Sequence, residues 1–125
     1  MEVLNILIVD DKKEIRDLLE AVLTLNGYST IKAKNGEEAL ELLREHKVDL
    51  IISDINMPKI DGFTMLPLVK RLYPELPVVL MTGYYDIYTE KEALRSGACH
   101  FLTKPFRTQE LINVIERELT SASKT

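Results

Sequence analysis

The chain has 125 residues, 46% hydrophobic and 29% charged, which is the make-up expected of one globular domain able to bury a core without disulfides or a structural metal. The apolar runs are strand-sized and no basic leader opens the chain, so neither a membrane span nor a secretory signal is expected. A net charge of −4 with scattered lysines and arginines argues against direct nucleic-acid binding, and a lone cysteine, Cys99, reads as a small buried apolar residue in a reducing, cytoplasmic setting.

Leu4–Val9 is an apolar run that ends in Asp10-Asp11. A helix is expected over Lys13–Asn26, with Ile15, Leu18, Leu19, Val22 and Leu23 at helical spacing and Asn26-Gly27 as its stop. Ser29–Ala33 reads as a strand, Asn35-Gly36 as a turn, and Glu37–Glu45 as a helix with Ala39, Leu40, Leu42 and Leu43 inward. Leu50–Ser53 is a third strand running into Asp54. Gly62–Tyr73 is helical in pattern, but Pro67 about one turn in predicts a late start or a bend. Val78–Met81 is a fourth strand, Asp86–Ser96 a helix ended by Gly97, and Phe101–Thr103 a fifth strand. Thr108–Leu119 completes the pattern, with Thr108 as N-cap, Leu111, Ile112, Ile115 and Leu119 inward, and a frayed tail over Ser121–Thr125. Continuous apolar strands alternating with helices predict an α/β fold, a parallel sheet covered on both faces.

The polar residues that interrupt this pattern stand where strands end. Asp10 and Asp11 follow the first strand, Asp54 the third, Thr82 the fourth and Lys104 the fifth. Ligands of open α/β sheets bind outside those carboxyl ends. Singly, each residue has an ordinary role: a helix cap for Asp10 or Asp11, a turn for Asp54 or Thr82, a solvated loop lysine for Lys104. Together they make a set that calls for a cation, because carboxylates held close repel and one takes up a proton unless compensated. Mg²⁺ suits such oxygen ligands, and one carboxylate can serve as a nucleophile in phosphoryl transfer. His46 and His100 are isolated and expected on the surface, and no zinc, dinucleotide or P-loop signature is present.

Asp10-Asp11, Asp54-Ile55-Asn56-Met57-Pro58 with Asp61-Gly62, Met81-Thr82-Gly83, Gly97-Ala98 and Lys104-Pro105-Phe106 together resemble the motifs of bacterial response-regulator receiver domains. The resemblance runs from about Leu4 to Leu119 and treats residues 1–125 as a single receiver domain with a short tail from 120. It implies a (βα)5 flavodoxin-like fold with strand order 2-1-3-4-5, an order that the residue pattern alone leaves open. It implies Asp54 as the phosphoacceptor. It implies that Asp11, Asp54 and the Asn56 backbone carbonyl bind Mg²⁺ or Mn²⁺, with Asp10 acting mainly through a metal-bound water. Lys104 would pair with the phosphoryl group, Thr82 would swing toward it, and Phe101 would turn inward, reshaping the face of helix four, strand five and helix five. Asn56 and Tyr84 occupy positions that tune phosphoryl lifetime, and Ile15, Leu18, Pro105 and Phe106 positions that dock the kinase. Leu18 also fits the inward stripe of its helix, and its alternative reading is plain core.

The implied partners are a sensor histidine kinase or histidine phosphotransfer protein, an output domain or downstream effector, and in some settings a phosphorylation-dependent second copy. Met-Thr-Gly-Tyr followed by Asp86-Ile87 resembles receivers of enhancer-binding regulators. Two departures stand out: His100 where an acidic residue is frequent, and the tyrosines Tyr84, Tyr85 and Tyr88. Tyr84 either shields the acyl phosphate from water or belongs to an exposed aromatic patch. A receiver catalyses only its own phosphorylation and slow dephosphorylation. Two other classes compete with it. An aspartyl phosphatase of the haloacid dehalogenase type would have a second aspartate where Asn56 stands, and would turn over a phosphomonoester. A phosphorylation-independent interaction module would not need the acidic set.

Overall fold

The computed structural model describes residues 3–84 and 86–123, the last three through their backbone only. The elements follow in strict alternation: β1 (Asn5–Val9), α1 (Lys13–Leu25), β2 (Ser29–Ala33), α2 (Gly36–Glu45), β3 (Leu50–Asp54), α3 (Gly62–Leu72), β4 (Val78–Thr82), α4 (Ile87–Arg95), β5 (His100–Thr103) and α5 (Thr108–Ser123). The strands form one parallel sheet in the order β2-β1-β3-β4-β5. This is the expected (βα)5 flavodoxin-like arrangement.

The strand sequences explain the layering. Every residue of β3 and β4 is buried, because these central strands are covered on both faces, whereas the edge strand β2 is mostly half-exposed. Alternate side chains face opposite ways. Leu7, Val9, Ile51, Val78, Leu80 and Phe101 pack with Ala39 and Leu43 of α2, Met65, Leu66 and Val69 of α3, and Ala93 of α4. Ile6, Ile8, Ile52, Val79, Met81 and Leu102 meet Leu19 and Leu23 of α1 and Leu111, Ile112, Val114, Ile115 and Leu119 of α5 on the other face. Each large aliphatic side chain buried this way contributes about 1.5–3 kcal/mol.

Helix ends follow local chemistry. After α1, Gly27 adopts φ +89°, and the N–H groups of Gly27 and Tyr28 donate to the Thr24 and Leu23 carbonyls. Gly97, at φ +112°, closes α4 in the same way with Ala98. Asn35, Asp61 and Asp86 cap α2, α3 and α4 through side-chain oxygens.

Four expectations are corrected. α3 starts at Gly62 and runs through Pro67, because Pro67 faces solvent and Asp61 caps the first turn. Thr108 lies inside α5, where the Arg107 carbonyl accepts from Glu110 and Leu111, so Thr108 is not the cap. α5 continues to Ser123 instead of fraying from Ser121, and Lys124 and Thr125 lie outside the described residues, as do Met1, Glu2 and Tyr85. His100 is the first residue of β5 rather than its predecessor, half-exposed, with Nδ1 at 3.4 Å from the Arg117 guanidinium.

Candidate functional site

Strand register assembles the site. Val9 pairs with Ser53, so the residues that follow them, Asp10 and Asp54, stand side by side at the ends of β1 and β3. The sheet order reverses between these strands, which is where an open α/β sheet leaves its crevice. Asp10 is fully buried and Asp54 nearly so, whereas Asp11 is exposed. Carboxylate oxygens of Asp10, Asp11 and Asp54 all lie within 4.8 Å of one another.

Lys104 reaches into this group from the end of β5. Its Nζ is 3.0 Å from Asp10 Oδ2 and 3.4 Å from Asp54 Oδ2. The Lys104 N–H donates to the Thr82 carbonyl at 2.7 Å, which fixes the base of the side chain. Asp10 is held further by the Lys12 N–H on Oδ1 at 2.9 Å, and Arg16 donates to the Asp10 carbonyl at 2.8 Å. Both Asp10 carboxylate oxygens are therefore engaged.

The three clustered carboxylates outnumber the cations beside them, Lys104 and Arg16, so the crevice keeps a net negative charge. Burial pushes the Asp54 carboxyl above its ordinary range; Lys104 opposes the push, Asp10 adds to it, and the Asn56 backbone amide opposes it. A divalent cation with hard oxygen ligands fits this donor set and this residual charge.

Thr82 is buried at the end of β4, and its hydroxyl accepts from the Tyr84 N–H at 3.3 Å. Phe101, expected to turn inward on activation, is already packed in the core. The Tyr84 ring is 75% exposed, so it does not cover the site in this conformation, and Tyr88 is exposed as well. Asn56 is exposed in the loop that follows β3. Ile15, Leu18, Pro105 and Phe106 converge with Leu19, Gly83 and Lys104 on an apolar groove of 420 Å³ beside the acidic crevice. Leu18 is 59% exposed, which removes it from the core.

The family model described as response regulator receiver domain matches residues 6–116. The chain belongs to the response-regulator receiver family. FleR of Pseudomonas aeruginosa, described as a response regulator protein, is 38% identical over 113 residues, covering 90% of this chain and 24% of that protein. AtoC of Escherichia coli, described as a regulatory protein, is 40% identical over 115 residues, covering 92% of this chain and 25% of that protein. The chain spans about a quarter of the length of both. Among solved structures, a CheY-like receiver domain protein from Methanospirillum hungatei superposes with a TM-score of 0.93 at 28% identity, covering 98% of each chain. The receiver domain of NtrX from Brucella abortus gives 0.88 at 38% identity, covering 92% of this chain and 98% of that one.

Sequence reasoning missed one residue in this receiver site, Arg16, whose guanidinium braces the Asp10 carbonyl. Its signal was weak: an arginine on the first turn of α1, within reach of the preceding strand end. Among the described residues no helix is long and apolar enough to cross a membrane.

Proposed function

We propose that this receiver is a phosphoacceptor switch in which Asp54 accepts a phosphoryl group from a phosphohistidine of a sensor kinase or histidine phosphotransfer protein. A carboxylate oxygen of Asp54 attacks phosphorus, the phosphorus–nitrogen bond breaks, and the histidine nitrogen leaves with the bond's electron pair and takes up a proton. The cluster of Asp10, Asp11 and Asp54, with Lys104 paired to Asp10 and Asp54, carries this reading. Asp11, Asp54 and the Asn56 carbonyl would hold Mg²⁺ or Mn²⁺, with Asp10 acting through a bound water; the ion supplies charge neutralisation for the incoming phosphoryl oxygens. Lys104 moves its ammonium from Asp10 and Asp54 onto the phosphoryl group. Thr82 exchanges the Tyr84 N–H for a phosphoryl oxygen, and the α4–β5–α5 face around Phe101 responds. Water then attacks the acyl phosphate, and Asn56 and Tyr84 set how fast.

The donor docks on the groove formed by Ile15, Leu18, Pro105 and Phe106, where a half-exposed leucine beside an acidic crevice suits a helix that carries the phosphohistidine. The receiver signals to an output domain or effector in the cytoplasm, a setting that fits its unpaired thiol. A phosphorylation-dependent second copy on the α4–β5–α5 face is one form of that output, and any DNA contact belongs to another domain. Intact-mass analysis after treatment with a small phosphoramidate and Mg²⁺ is expected to show one added phosphoryl group, absent without Mg²⁺ and absent in Asp54→Ala. A phosphorylated Asp54→Ala chain would refute the assignment.

A further inference from the structure

The loop from Ile55 to Asp61 carries the Asn56 carbonyl, and backbone contacts hold it at both ends. The Ile55 N–H donates to Met81 at 3.0 Å and the Gly62 N–H to Ile55 at 2.9 Å. From outside the loop, the Gly36 N–H donates to the Ile60 carbonyl at 3.3 Å. We propose that Gly36, the first residue of α2, is a positioning residue for the cation site, because its missing side chain lets the Asn56 loop seat against α2. This inference rests on the cation reading given above.

The contact leaves no room for a side chain. A β-carbon on Gly36 would lie 2.6 Å from the Ile60 carbonyl oxygen and 3.1 Å from Ile60 Cβ and Cγ2. α2 is anchored by Ala39 and Leu43 in the core, and its first turn is capped. Asn35 is buried and accepts from the Glu38 N–H at 2.8 Å, while Glu38 Oε1 accepts from the Lys34 N–H at 2.9 Å, which locks the helix start. The loop would have to move instead. It is already bent to reach this position: Lys59, next to Ile60, adopts φ +65°, and Met57 and Ile60 pack against the core on either side. The Glu37–Lys59 pair across the same junction is 3.9 Å long and exposed on both sides, so it contributes little. Steric clearance at Gly36, not charge, sets where the loop and its carbonyl stand. Gly62 makes a comparable approach, its β-carbon position lying 2.8 Å from the Asp54 carbonyl, but it belongs to the loop it closes.

Calorimetric titration of the whole chain with Mg²⁺, without a phosphoryl donor, tests the proposal. The native chain is expected to bind and Asp11→Asn to lose that binding; a native chain that does not bind overturns the cation reading itself. Given native binding, Gly36→Ala is expected to weaken Mg²⁺ about 10-fold, the size typical of groups that orient metal ligands. Gly27→Ala serves as the control. It forces an alanine into φ +89° with open space around it, at the opposite end of the sheet, so it lowers stability without touching the loop. Unchanged Mg²⁺ affinity in Gly36→Ala overturns the clamp, and so does an equal loss in Gly27→Ala, since affinity would then merely follow stability. A second measurement needs no variant. Mg²⁺ is expected to shift the Gly36 amide resonance of the native chain and leave that of Gly27 in place. A Gly36 amide unmoved through Mg²⁺ saturation overturns the proposal even where Gly36→Ala does not fold.

Discussion

Asp54 is buried and Cys99, expected to be buried, is half-buried against the core; the partial loss of water raises both acids. At Asp54 the rise is opposed by Lys104 and the Asn56 amide, which keeps a carboxylate ready to act as a nucleophile. At Cys99 burial dominates and Glu118 adds to it, while Lys70 offsets only part of the rise, so the thiol moves from 9.0 up to about 12. Near pH 8 this leaves on the order of a thousandfold less thiolate than in an exposed cysteine. Iodoacetamide at that pH is expected to spare the native chain and modify the urea-unfolded one; equal rates would contradict the burial of Cys99. The sign of the linkage follows. The unfolded thiol ionises near its ordinary value and the folded thiol does not, so stability falls as pH rises from about 9 toward 12, and Cys99→Ala should flatten that fall. The acidic and hydroxyl members of the site were legible in the sequence because Asp10, Asp54 and Thr82 break apolar runs where charge or hydroxyl is otherwise disfavoured. Gly36 was not, because a glycine in an Asn-Gly turn has the same sequence signal whether or not a carbonyl stands 2.6 Å from its missing side chain.

Among the helices, α4 is the least anchored. It has nine residues and buries only Ala93, while α3 buries Met65, Leu66 and Val69 besides Gly62. Its start depends on Asp86, whose Oδ1 accepts from the Tyr88 N–H at 2.8 Å and the Thr89 N–H at 3.4 Å. Asp86→Ala is expected to lower stability by about 1 kcal/mol and to speed amide exchange in α4 before any other helix. Uniform loss of protection across the chain would show instead that α4 opens only with the whole fold. α3 offers the opposite test. Pro67 removes one hydrogen bond from an exposed helix face, leaving the Phe63 carbonyl without its helical partner. Pro67→Ala restores that donor and is expected to raise the unfolding free energy by about 1–2 kcal/mol once the greater freedom of the unfolded chain is deducted, seen as a higher urea midpoint. An unchanged or lower midpoint would mean that the proline fits this helix without loss. Strands were easier to read than helix ends because a buried parallel strand is a continuous apolar run, visible locally. Leu18 misled the helix reading: it lies on the edge of a regular apolar stripe, and only the docked position of α1 shows that the sheet does not cover that edge.

At the scale of the whole molecule, the strand order builds the site. Nothing in the residue pattern says that β1 lies between β2 and β3, because parallel pairing is set by how the crossover helices pack and not by local composition; the family motifs supplied that order. Once it is set, register alone places Asp10 beside Asp54, and the fold must accommodate three carboxylates that Lys104 and Arg16 only partly offset. That crowding works against the cation-free chain. A carboxyl whose folded pKa is raised above 3.8 destabilises the fold once ionised, so at neutral pH Asp54 weakens the structure that presents it. Asp54→Asn removes the charge, keeps the shape and leaves an oxygen for Lys104. In Mg²⁺-free buffer it is expected to be more stable than the native chain by roughly 1 kcal/mol, a rise of about 3–6 °C in Tm for a chain of this size. Mg²⁺ should reverse the order. It stabilises whichever chain binds it, by an amount that grows with the logarithm of its concentration over Kd, and Asp54→Asn has lost one ligand. Thermal unfolding of both chains across a Mg²⁺ series checks both halves. A variant less stable than the native chain without Mg²⁺ would mean that Lys104 already balances the site. Parallel rises in Tm for the two chains would place the cation somewhere other than on Asp54.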